Sequence, residues 1–134
     1  MKNLLLASAL ILASSLGFAG RVDIHPQAFD PGGWKVDVQF MDVMGSAYLL
    51  AHGNGIRCLD AKAVANIPES GEWRVYVRSR SWVEGAGAFK VKVGGKILDG
   101  TFGVTQSEWA WEDGGVVALE KGTTGISLVD CDGF

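Results

Sequence analysis

Apolar and polar residues alternate along most of this chain. Trp34, Val36, Val38 and Phe40 share one parity against Lys35, Asp37 and Gln39. Trp73, Val75 and Val77 oppose Arg74, Tyr76 and Arg78 in the same way, and Phe89, Val91 and Val93 oppose Lys90 and Lys92. Successive side chains of a strand point to opposite faces, so this period of two predicts strands with one buried and one wet face. Weaker strands are expected over Tyr48–Ala51, Ala61–Ile67, Val116–Glu120 and Gly125–Val129. No segment beyond the first twenty residues carries a helical period.

The breaks between these runs have turn chemistry. Pro68-Glu69-Ser70-Gly71 sets proline and glycine where a chain reverses, and Gly94-Gly95 sits where a two-residue hairpin turn belongs. Gly114-Gly115 and Gly122–Gly125 read as further breaks. Short strands at this spacing predict an all-β fold, an antiparallel β-sandwich of jelly-roll type. The chain reaches Asp130-Cys131-Asp132-Gly133-Phe134 directly after a strand, so the sandwich is expected to lack its last strand. An edge left open in that way would invite pairing with another chain.

The first nineteen residues follow a different pattern. Lys2 supplies a positive charge, Leu4–Leu16 is almost unbroken apolar sequence, and Gly17-Phe18-Ala19 places small residues at the positions a signal peptidase reads. The expectation is a signal peptide over 1–19, cleavage after Ala19, and a secreted or periplasmic β-sandwich domain over 20–134. The apolar run is short for a membrane span. Formal net charge is −3 for the whole chain and −4 once Lys2 is removed, 11 basic residues against 15 acidic. Such a surface offers no attraction to nucleic acid or to an anionic membrane.

Two cysteines, Cys58 and Cys131, would enter an oxidising compartment. A bridge between them would close a long loop and stabilise the fold by about 4 kcal/mol in the chain-entropy account. Two free thiols are the alternative.

Little in the chain points to chemistry. It has no G-x-S-x-G elbow, H-E-x-x-H motif or P-loop, and neither Gly53-Asn54-Gly55 nor Gly85-Ala86-Gly87 opens a helix after a strand. His25 and His52 lack ligands at metal-binding spacing, and Asp130 with Asp132 is only the start of a calcium loop, so no metal or cofactor is expected. Glu108, Glu112 and Asp113 cluster in sequence, which sets no carboxylate separation of the kind a glycosidase needs.

The five tryptophans say more. Trp34 and Trp73 fall on the inward parity of their strands and belong to the core. Trp82 lies between a strand and the glycine-rich 84–87 loop, at a rim. Trp109 and Trp111 are two apart, on one face if extended, with Glu108 and Glu112 beside them. They either close the open end of the core or stack on the apolar face of a sugar ring. Trp82, Trp109 and Trp111 are therefore candidate ligand-binding residues, with Tyr48 and His52 as secondary candidates.

Several longer motifs carry a resemblance. Gly32-Gly33-Trp34-Lys35-Val36-Asp37, Gln39-Phe40-Met41-Asp42, Tyr48-Leu49-Leu50-Ala51-His52-Gly53, Trp73-Arg74-Val75-Tyr76-Val77-Arg78, Thr101-Phe102-Gly103 and Trp109-Ala110-Trp111 occur in that order. Together they resemble the golvesin-type, carbohydrate-binding-like accessory domain of secreted bacterial FAD-dependent oxidoreductase-like proteins. The resemblance implies a β-sandwich attached to a flavin domain, and a pattern that continues beyond the equivalent of Gly133-Phe134. Any oxidoreductase activity would reside in that flavin domain, which is absent from these residues. The expected function is thus a non-catalytic binding module for carbohydrate or a glycoconjugate. The alternative is a structural accessory domain whose partner is the flavin enzyme.

Overall fold

The computed structural model describes residues 2–6 as backbone, and residues 20–81, 83, 86–104 and 107–133. Ten strands run along it: β1 (Lys2–Leu6), β2 (Arg21–Asp23), β3 (Lys35–Asp37), β4 (Tyr48–Leu50), β5 (Ala61–Ile67), β6 (Gly71–Ser79), β7 (Phe89–Val93), β8 (Lys96–Ile97), β9 (Ala110–Leu119) and β10 (Gly122–Asp130). Among the described residues the helical content is one 3₁₀ turn, Pro26–Ala28, and one α-helical turn, α1 (Met41–Met44).

Two four-stranded sheets form the layers, in the orders β2-β1-β6-β9 and β5-β10-β7-β8, with β3-β4 as a separate ribbon. Strict alternation does what its period requires. Ile67, Trp73, Val75, Val77, Val91 and Val93 are fully buried, and with Ala61, Ala63, Ile126 and Leu128 they form one core between the sheets. The Trp73 indole N–H donates to the Glu69 carbonyl at 3.2 Å, which ties the Pro68–Ser70 connection to the core. That connection joins β5 in one sheet to β6 in the other, so it crosses between layers. Gly94-Gly95 makes the expected β7–β8 hairpin, both glycines at positive φ as a tight turn demands. The β-sandwich of the sequence reading is therefore the fold.

Three expectations need correction. The Trp34–Phe40 alternation yields only the three-residue β3. Trp34 is buried, but Val36 and Val38 are 57% and 58% exposed, because β3 pairs with β4 alone and no second layer covers that face. Gly114-Gly115 does not separate strands. It is a bulge inside β9, where the register against β6 shifts between Val75 and Tyr76 and Gly115 takes φ +86°. A Cβ at Gly114 would lie 3.2 Å from Leu98, Phe102 and the Val75 carbonyl, a tight approach that a larger residue would have to push back. Gly122–Gly125, read as a break, belongs to β10; the reversal falls at Glu120-Lys121.

Candidate functional site

One end of the sandwich gathers the C-terminal ends of β6 and β10 with the starts of β7 and β9, a consequence of antiparallel β6–β9 and β10–β7 pairing. A cavity of about 240 Å³ opens there. Its floor is core: Trp34, Phe89 and Leu128. Its walls come from the segment following β4 (Ala51 to Asn54), from Arg78, Ser79 and Arg80 at the end of β6, and from Trp109 just before β9. Phe40 and Tyr48 close one side.

Rings dominate the walls. Tyr48 lies 5.0 Å from Trp109, tilted by 59°, and stacks at 6.1 Å on Phe40. The Arg80 guanidinium carbon sits 4.7 Å over the Phe40 ring, a cation–π contact. At the floor Trp34 meets Phe89 edge-on at 5.7 Å. The β3–β4 ribbon positions Tyr48: Asp37 faces it across the strands, and the Tyr48 hydroxyl donates to the Asp37 carboxylate. Burial first, and then this bond, push the Tyr48 phenol up to about 12. The same bond holds the Asp37 carboxyl below its usual range. Tyr48 therefore stays a neutral aromatic wall at any ordinary pH.

The loop beyond β4 is clamped from behind. The Asp130 carboxylate, buried at the end of β10, accepts from the backbone N–H of Cys58 at 2.9 Å and of Gly133 at 2.9 Å. Gly55 N–H donates to the Gly133 carbonyl at 2.7 Å. Gly53 is required at this crossing, since a Cβ would lie 1.9 Å from the Ile56 carbonyl oxygen and 2.4 Å from that of Gly133. Asp130 and Asp132 thus act as braces for turns. Among the described residues no group of three or more His, Cys, Asp or Glu could hold a metal ion. Cys58 and Cys131 are free thiols; burial, reinforced by Asp130, pushes Cys58 up to about 11, and burial raises Cys131 as well.

Three polar atoms in the described structure are buried without a hydrogen-bond partner: Trp34 Nε1, Trp109 Nε1 and Arg80 Nε. All three belong to cavity-lining side chains. Buried polar atoms are nearly always satisfied, so three orphaned donors around one cavity distinguish it from ordinary core. Among the described residues the lining includes no Asp or Glu. Glu112 receives the Ser79 hydroxyl, and Asp113 pairs with Arg74, so neither reaches the cavity as half of an acid pair.

Of the residues singled out from sequence, Tyr48, His52 and Trp109 line the cavity. Trp111 does not: it stands 40% exposed on β9, opposite Arg78 in register, at the rim. Trp82 lies outside the described residues. Trp34, Phe40, Arg78 and Arg80 were not anticipated as site residues. The alternation that placed Trp34 in the core was right about its burial, yet nothing local showed that the core opens there.

No family model matches the chain, and neither does any curated protein. Among solved structures, a family 35 carbohydrate binding module from Clostridium thermocellum superposes with a TM-score of 0.54 at 20% identity. The match covers 66% of this chain and 69% of that one. At that identity the likeness shows the fold, a carbohydrate-binding-module-like β-sandwich.

Proposed function

We propose that this chain is a non-catalytic, extracytoplasmic binding module for carbohydrate, and that the cavity at the end of the sandwich receives one sugar ring of the ligand. The observation that carries the reading is a single cavity walled by aromatic rings together with the Arg78 and Arg80 side chains. A sugar ring offers apolar C–H faces to rings such as Trp109 and Tyr48, and hydroxyl oxygens to N–H donors. The volume, near the small end of ligand pockets (roughly 300–1,000 Å³), suits one ring better than a chain of them. The carbohydrate-binding module that shares the fold supports the ligand class.

The test is retention of the protein in gels containing soluble polysaccharides, alongside a glycan array. Retention by at least one glycan, weakened in Trp109→Ala and Arg80→Ala, is expected. No retention anywhere, or variants that migrate like the parent, would remove the reading.

A second reading has its own observation. Val36 on β3, Val38 just beyond it, and Met41 and Val43 on α1 all expose apolar side chains. A face of that kind suits docking against a flavin-enzyme domain, as the motif resemblance suggests. It predicts that the protein isolated from its source carries flavin, visible in its absorbance.

A further inference from the structure

One strand of the β2-β1-β6-β9 sheet lies in the segment that the export reading removes. Lys2–Leu6 occupies a gap one strand wide, pairing parallel to β2 from Asn3↔Arg21 to Leu5↔Asp23 and parallel to β6 from Lys2↔Trp73 to Leu6↔Val77. Every other pairing between the described strands is antiparallel. Cleavage after Ala19 would leave β6 paired only with β9, and β2 paired with no strand. Two rows of backbone donors and acceptors would then face each other across an empty lane. Unpaired edges of this kind are templates for another strand.

We propose that in the exported chain this lane is a strand-acceptor site, filled by an extended apolar segment of a partner polypeptide. The present occupant shows what the lane accepts: five residues, three of them leucine, with no proline, bonded along both edges. The lane adjoins Trp73, Val75 and Val77, the fully buried side of β6, so an occupant carrying apolar side chains continues that layer of core. β2 and β6 run in the same sense, because both are parallel to β1. An incoming strand of either sense therefore bonds both edges, and one of opposite sense makes the sheet uniformly antiparallel. Backbone bonds supply the affinity and the alternate side chains the selectivity, as in other cases of strand addition. The lane runs beside residues 73–77, whereas the cavity begins at Arg78, so the two sites are separable.

The experiment uses the protein exported from its own leader and, as control, the full-length chain produced without export. The probe is the synthetic peptide Lys-Asn-Leu-Leu-Leu, beside the same peptide N-methylated at alternate amides. The exported protein should begin at Gly20 by mass spectrometry. The unmodified peptide should raise its unfolding midpoint by several degrees, as a ligand of the folded state does. The N-methylated peptide should fail, and the full-length chain should not respond. If the exported chain is unfolded alone, a gain of β-sheet circular dichroism with the peptide reads the same binding. An exported protein that retains Met1 overturns the proposal, and so does equal response to both peptides or no response to either. A homodimer that the peptide dissolves would put a second copy in the lane and overturn the assignment to a different polypeptide.

Discussion

Strand β6 passes through two regions that obey opposite rules. From Trp73 to Val77 its inward side chains are fully buried apolar groups, and the one polar atom among them, the Trp73 indole nitrogen, has a carbonyl partner. Three residues later, at Arg80, a guanidinium nitrogen is buried without a partner, and the same is true of the Trp34 and Trp109 indoles around it. Beyond them the β3–α1 segment turns Val36, Val38, Met41 and Val43 outward. The interior is arranged for its own stability. The rim leaves donors unmatched and apolar surface wet, which costs stability and makes sense where something else completes the contacts.

That contrast can be broken most forcefully from the interior. Trp73→Ala should cost about 3–5 kcal/mol, the usual range for truncating a buried tryptophan, measured by urea unfolding. The fraction still folded should bind glycan as the parent does. Gly53→Ala should cost about 1–3 kcal/mol, because its Cβ collides with backbone at Ile56 and Gly133 and the flexible end of a side chain is not there to yield. It should also weaken glycan binding, since the displaced loop carries His52 and Asn54.

Rim substitutions should reverse the balance between stability and binding. Trp109→Ala is expected to lower glycan affinity about tenfold, the worth of one good aromatic contact, while unfolding at a denaturant concentration well above that of Trp73→Ala. Trp111→Ala, altering a residue outside the cavity lining, should change affinity less.

The smallest effects sharpen the account of Tyr48. Tyr48→Phe should cost about 1 kcal/mol at neutral pH through the lost bond to Asp37. The Asp37 carboxyl lies below its ordinary value of 3.8 in the folded state, so its contribution is present above that value and fades as pH falls through the folded one. The stability gap between parent and Tyr48→Phe should accordingly narrow in acid. At the other extreme, the phenol is raised to about 12, so its contribution holds below the ordinary value of 10 and is lost as pH rises through 12. An ultraviolet titration should show Tyr48 phenolate forming near pH 12.

Much of the architecture was legible because a period of two is a property of neighbouring residues. Trp73–Val77 and Phe89–Val93 are strands with the buried faces their alternation assigned, and Ala61–Ile67 is a strand as expected. The same signal misled at Trp34–Phe40, where alternation exists but only three residues find a partner strand. Glycine was ambiguous for a related reason. A positive φ serves a hairpin at Gly94-Gly95 and a bulge at Gly115 equally well, and only the partner strand distinguishes them.

The sequence alone therefore determined the layered β architecture and the inward faces of the main strands, both carried by residues adjacent in the chain. Tertiary structure decided where those strands end relative to one another. It separated Trp109 from Trp111, turned Trp34 from core filler into a cavity floor, and brought Arg78 and Arg80 up to Tyr48. A cavity at the end of a sandwich is made by contacts between distant segments. No local pattern records which strand ends will meet.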